Sequence, residues 1–291
     1  MYYAINYERN VVYKFYTTNK KNFFNLLLLR KINIVSFGIC PLAIVPVRNE
    51  PSDKSEMVSQ LLFGEGFEVL DAQPKWTKVQ LHWDGYTGWV DSSSIHAASF
   101  SDIDEEEKKI FYCNDISALV HSTLGKQVIT YGSTLPQLKK NKLKLGDDEY
   151  SFEGNPLNSS SIPHTEIAIE ELATKYLNAP YLWGGRSILG IDCSGLTQMV
   201  FKMLGIKLYR DAFQQSDQGM LVNFVDEART GDLAFFKNEE GKIIHVGIIL
   251  SNNRIIHASG RVRIDDIDHY GIYNKQKKSY SHQLRFIKRI L

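Results

Sequence analysis

Asp192-Cys193-Ser194-Gly195 sets a thiol among polar and small residues where a helical apolar pattern begins, with Leu196, Met199, Val200, Met203 and Leu204 on one face. Such a position suits a nucleophile. The unpaired N–H groups and the dipole of a helix N-terminus favour negative charge, and the thiolate is the reactive form of cysteine. A cysteine buried in an apolar run would be a small hydrophobe, but Cys193 follows the Gly184-Gly185 turn instead. A thiol nucleophile needs a base, and the base needs an orienting partner. His245 and His257 stand inside the strand-like runs KIIHVGIIL (242–250) and RIIHASG (254–260). One histidine in such a run is usually a core residue; two on neighbouring strands, after a cysteine at a helix start, form a set suited to acyl transfer. His82, His96, His121, His164, His269 and His282 read as surface residues in loops and at module ends.

Strand parity tests whether the two histidines can meet. Opposed residues of an antiparallel pair share a face, and a slip of one residue reverses it. A two-residue turn at Asn252-Asn253 would put His245 and His257 on opposite faces. A three-residue loop, Ser251 to Asn253, pairs Leu250 with Arg254 and sets His257 opposite Gly247. His245 is then the diagonal neighbour, within side-chain reach. Such a loop requires a left-handed residue, which asparagine tolerates, so a positive φ is expected at Asn253.

Three kinds of element must carry these groups. The 291 residues suggest two or three domains at about 150 residues or fewer each. Residues 1–35 read as a poorly structured extension or a degenerate export signal: FFNLLLLR (23–30) follows two lysines but is cut short by Arg30 and Lys31. Its apolar length is far below the roughly 20 residues that span a bilayer, so no stable membrane insertion is expected. Cytoplasm and periplasm both stay open. Short β-type runs follow over 36–100 (LAIVPVR, GFEVLDA, WTKVQLHW, YTGWVD) and again over 101–160 (IFYCN, SALVHST, KQVITYG, EYSFEG), separated by turn residues at the spacing of small barrels. The charge run DEEEKK (104–109) divides them, and NPLNSSSIP (155–163) reads as a linker. Over 161–291 the pattern is α+β: a helix capped by Thr165 and ending before Asn178-Ala179-Pro180, the helix from Cys193 to Gly205, then three strand-like runs.

Composition removes other classes. A net charge of +1 gives no reason to expect nucleic acid or an anionic membrane as partner. Cys40, Cys113 and Cys193 are odd in number and widely spaced, which supports neither a disulfide scaffold nor a structural metal site.

Tyr181-Leu182-Trp183-Gly184-Gly185, Asp192-Cys193-Ser194-Gly195, Gly231-Asp232-Leu233, His245-Val246-Gly247 and His257-Ala258 together resemble the NlpC/p60 cysteine peptidases. The resemblance implies a papain-like fold in circularly permuted order, with Cys193 as nucleophile, His245 as base, His257 as its orienting partner and Tyr181 beside the reacting carbonyl. It implies no cofactor and no metal. SEMVSQLLFGE (55–65), Trp76 and GYTGWV (85–90) resemble a bacterial SH3 domain, and 101–160 a second one in strand rhythm only. Two such modules ahead of the peptidase resemble the subgroup of gamma-D-glutamyl-L-diamino acid endopeptidases. Those hydrolyse murein peptides with a free N-terminal L-alanine, in cell-wall recycling. The subgroup match implies substrate binding by Asp211, Glu56, Tyr86, Asp192 and Ser194. A peptidoglycan-binding hydrolase acting on intact wall is the alternative. The preferred diamino acid and the oligomeric state are not legible.

Overall fold

The computed structural model describes residues 2–6, 11–15, 36–103 and 110–291, in two compact units, Met1–Asn158 and Ser159–Leu291. The apolar run at 23–30 and the charge run at 104–109 lie outside the described residues. Among the described residues no helix is long and apolar enough to cross a membrane.

The first unit is β-rich. Tyr2–Asn6 pairs antiparallel with Val11–Phe15, which corrects the expectation of an extension without secondary structure. Aromatic and β-branched residues dominate both segments and favour the strand. A seven-stranded antiparallel sheet runs from Ser36 to Ala98 and encloses Val45, Val47, Leu61, Phe67, Val79, Leu81 and Val90. A four-stranded sheet follows between Ser117 and Glu153. Its core is shared: Ile39 and Ala98 of the first sheet, with Phe63 in the turn after its Met57–Leu62 strand, pack with Val120, Ile129, Leu143 and Phe152 of the second. Pro156–Asn158 is a strand that pairs with Phe111–Cys113. Part of the expected linker therefore belongs to the first unit, because its backbone groups find partners on that strand.

The second unit begins with three helices: α1 (Glu166–Thr174), α2 (Cys193–Met203) and α3 (Ala212–Gln215). Seven strands follow: β1 (Met220–Val222), β2 (Leu233–Lys237), β3 (Ile243–Leu250), β4 (Arg254–Ser259), β5 (Arg261–Ile267), β6 (Gly271–Asn274) and β7 (Ser279–Arg289). Their order in the sheet is β1-β7-β2-β3-β4-β5-β6, and the eleven-residue β7 also pairs with β6, so the sheet curls until it meets itself. A register shift at Phe235/Phe236 between β2 and β7 helps it bend. Ala234, Phe236, Ile249, Ile255, Ile267, Ile272 and Ile287 fill one core cluster. The residues that alternate with them on β2 and β3, such as Leu233, Phe235, Val246 and Ile248, are fully buried too.

Thr165 caps α1 as expected, accepting the Ala168 N–H at 3.3 Å. All eleven residues of α2 are buried, not one face only. Its polar side is covered by hydrogen bonds rather than water: Arg186 Nε donates to Gln198 Oε1 at 2.7 Å, and Thr197 Oγ1 to Gln215 Oε1 at 2.6 Å. Gln215 Nε2 in turn donates to the Ser194 carbonyl at 3.0 Å. This network fixes the end of α2 against the 209–215 segment, as a buried polar set must when every member is satisfied.

Candidate active site

Cys193 is the first residue of α2, and Asp192 is its N-cap, accepting the Gly195 N–H at 2.7 Å through Oδ1. The other oxygen, Oδ2, accepts the Gly184 N–H at 2.8 Å. One carboxylate thus ties the helix start to the glycine turn. A Cβ on Gly195 would run into the Gly185 carbonyl, so the close approach of turn and helix needs glycine there. Arg210 completes the arrangement with Nη1 3.0 Å from Asp192 Oδ1 and Nη2 2.6 Å from Oδ2. It also donates to Ser194 Oγ at 3.0 Å.

The thiol environment corrects one expectation. Burial and the neighbouring Asp192 carboxylate push Cys193 up to about 12, although the Val246 and Ser194 backbone groups and Arg210 work the other way. The helix end does favour the anion, but Asp192 takes the Gly195 N–H and adds negative charge beside the sulfur. At rest Cys193 is a thiol.

The two histidines lie on the sheet. Leu250 pairs with Arg254 across the three-residue loop Ser251–Asn253, and both Asn252 (φ 59°) and Asn253 (φ 52°) are left-handed. Continuing that register sets His257 opposite Gly247, where a Cβ would stand only 3.0 Å from that of His257. His245 is the diagonal neighbour, and its Nε2 lies 2.9 Å from His257 Nδ1. Both rings are buried, at 5% and 1% exposure. Burial, then His282 and His257, holds His245 well below the ordinary histidine range. His245 is thus a neutral imidazole, one residue from the Val246 backbone group that hydrogen-bonds the Cys193 thiol.

His282, expected at the surface, is instead on β7 and stacks on His245 with ring centroids 4.1 Å apart and planes 21° off parallel. Burial and His257 lower it to about 4. His257 reaches Asp265 on β5, Nε2 to Oδ2 at 3.1 Å. The ring nitrogens of His245, His257 and His282 all lie within 4.8 Å of one another, a grouping that could hold a metal ion.

Tyr181 lies close to Cys193 and Asp192. Burial first, then Cys193 and Asp192, raises the phenol to about 12, so it stays a hydrogen-bond donor. Its backbone N–H donates to the Gly260 carbonyl at 3.0 Å. Asp192 and Ser194 are both buried, with their polar atoms in the Arg210 network. Asp211 directly follows Arg210 and forms a reciprocal capping box with Gln214 at the start of α3. Glu56 is exposed just ahead of the Met57–Leu62 strand, and the Tyr86 N–H donates to Asp84 Oδ1 at 2.9 Å; both belong to the first unit. Arg210, Asp265 and His282 escape sequence reading. For Asp265 a signal exists, since Arg263 and Asp265 alternate along RVRIDDI and share one face of β5.

Residues 178–283 match the model of the NlpC/P60 family, and residues 47–95 that of the bacterial dipeptidyl-peptidase Sh3 domain. The chain is 27% identical over 233 residues to a gamma-D-glutamyl-L-lysine dipeptidyl-peptidase of Bacillus cereus, covering 71% of this chain and 68% of that one. It is 29% identical over 221 residues to a Bacillus subtilis protein of the same name, with 69% and 71% covered. A dipeptidyl-peptidase 6 of Lysinibacillus sphaericus is 26% identical over 249 residues, 75% of this chain and 87% of that one. The fold is similar to the crystal structure of an NlpC/P60 family protein from Bacillus cereus, with a TM-score of 0.75 at 20% identity, covering 88% of this chain and 100% of that one.

Proposed function

From an NlpC/P60 peptidase domain at residues 178–283 and a bacterial SH3 domain at 47–95, we propose a cysteine peptidase that cuts the γ-D-glutamyl–diamino acid bond of short murein peptides. Its substrates carry a free N-terminal L-alanine, and its place is in murein peptide recycling. The observation that carries this reading is the 2.9 Å contact of His245 with His257, one residue from the Val246 backbone that faces the thiol. The order of helix first and sheet after also supports a papain-like fold in permuted order. Residues 101–160 are read as a second SH3-like module on the strength of their strand rhythm.

The mechanism follows from a neutral pair. Cys193 loses its proton to His245 as the sulfur attacks the γ-carbonyl of D-glutamate, so charge separates only when substrate is present. The Tyr181 hydroxyl donates to the developing oxyanion. Collapse expels the diamino acid's amine, which takes the proton back from His245, and leaves a thioester that water hydrolyses.

The relatives' names describe release of a dipeptide, and that requires recognition of a terminal ammonium two residues from the cut. Asp211 is the acidic side chain assigned to it, held in place because Arg210 anchors its segment to Asp192 at the nucleophile's helix end. Removing one partner of a desolvated charge pair costs about 2–5 kcal/mol. Asp211→Ala is therefore expected to raise KM for the free-amine tripeptide by about tens- to thousands-fold, as steady-state kinetics would read. The test of the whole reading is digestion of L-Ala-γ-D-Glu-L-Lys and its diaminopimelate counterpart beside their N-acetylated forms. Cleavage of the free forms alone supports it; equal cleavage of acetylated peptide points to action on intact wall.

A further inference from the structure

The row of polar groups does not end at His257. Its Nε2 lies 3.1 Å from Asp265 Oδ2, and Arg263 closes on the same carboxylate, with Nε 2.7 Å from Oδ2 and Nη2 donating to Oδ1 at 2.7 Å. Arg263 pairs with His257 and Asp265 with Ile255 across β4 and β5, so all three polar residues share one face. The Asp265 side chain is only 7% exposed. Burial works to raise its carboxyl, but the hydrogen bonds from His257 and Arg263 outweigh that and hold it below the usual range.

We propose that Asp265 is a positioning residue that sets the tautomers of both histidines, and so decides which nitrogen of His245 receives the Cys193 proton. An ionised carboxylate can only accept. Facing it, His257 must carry its hydrogen on Nε2, and a neutral imidazole has only one. The Nδ1 of His257 is therefore bare and accepts across the 2.9 Å contact, with His245 donating from Nε2. That leaves Nδ1 of His245 as its one basic atom. In the attack the S–H bond breaks, an N–H bond forms at Nδ1, a C–S bond forms, and the carbonyl π pair moves to oxygen. The imidazolium still donates from Nε2 to His257, and the same Nδ1 proton later goes to the leaving amine. His257 and Asp265 transfer no proton. With the opposite tautomers, Nδ1 of His245 would already hold a hydrogen and could take none from the thiol. This inference rests on Cys193 and His245 acting as nucleophile and base.

The decisive readout is the ring-nitrogen spectrum of the full chain labelled with 15N-histidine, which needs no substrate. The parent is expected to carry its ring hydrogens on Nε2 of both His245 and His257; a His257 hydrogen on Nδ1 overturns the proposal. In Asp265→Asn the amide oxygen stays with its hydrogen-bond donor, Arg263 Nη2, and the NH2 takes the place of Oδ2 before His257 once Arg263 Nε moves off it, reversing the chain. Both histidines should then be protonated on Nδ1. The kcat should fall by about 10²- to 10⁴-fold, the upper figure being that of a wrong-tautomer change in a serine protease, with KM within about threefold. Arg263→Gln keeps the carboxylate and should keep the parental tautomers; a reversed spectrum there would also overturn the proposal. If no tripeptide is cut, the substrate assignment fails while the tautomer spectrum still decides this one.

Discussion

Both units are built on a seven-stranded antiparallel sheet, and they fill the inner face differently. In the first, Val45, Val47, Leu61, Phe67, Val79, Leu81 and Val90 line it together with Cys40. In the second, Ala234, Phe236, Ile249 and Ile255 do the same along most of β2 to β4, but His257 takes the next place after Ile255 and His245 the place beyond Gly247 on the same faces. Burying two imidazoles is unfavourable unless each polar atom finds a partner, and the bonds to one another and to Asp265 supply them. The thiols make the same point. Burial raises both Cys40 and Cys193, so a raised thiol does not mark the nucleophile. A backbone group favours the anion at each, Leu42 beside Cys40 and Val246 and Ser194 beside Cys193; the difference is that Cys193 also has the Arg210 cation nearby, whereas Cys40 has the Glu65 carboxylate. Alternation along a strand creates an inner face; chemistry arises where that face carries a connected polar row.

The strongest challenge to this contrast removes what holds the catalytic row in register. Arg210 is 1% exposed and paired with Asp192 at 2.6 Å. Arg210→Met leaves a buried carboxylate unpaired, and chemical denaturation should show a loss of about 3–5 kcal/mol. A loss below about 1 kcal/mol would mean that the pair is not what anchors the helix start.

A smaller effect is expected from His282. Its imidazole is one of the groups that depress His245, so in His282→Gln the acid limb of kcat/KM should move to higher pH. An unmoved limb would deny the stacking any electrostatic role. Stability should follow in sign. His245 and His282 both lie below 6.5 in the folded state, so the unfolded chain binds more protons between that value and about 4. Stability is then lost as pH falls through this window, and urea denaturation at several pH values should show a shallower loss in His282→Gln.

The least effect belongs to the apolar sheet. Cys40→Ala should cost about 1 kcal/mol and leave kcat/KM within about twofold. In the folded parent, alkylation should label Cys193, at 8% exposure, ahead of the fully buried Cys40 and Cys113.

The meeting of His245 and His257 was legible because it depends on local arithmetic: strand parity, a three-residue loop and asparagines that tolerate left-handed backbone. The start of α2 was legible for the same reason. His282 was not, since β7 reaches the histidines only after register shifts against β2 and β6, which alternation cannot anticipate. The depth of Cys193 and the Arg210–Asp192 pair join segments 18 residues apart, and nothing local in either announces the contact. Pro156–Asn158 looked like linker because its polar composition says nothing of the strand it completes.

The central claim is that Cys193 is the nucleophile, and the most direct measurement is kcat of the Cys193→Ala full chain on L-Ala-γ-D-Glu-L-Lys, with its denaturation midpoint measured alongside. The account predicts a fall of more than about 10⁴-fold, as when a catalytic unit loses its nucleophile, with the fold retained. Turnover within about tenfold of the parent would contradict it.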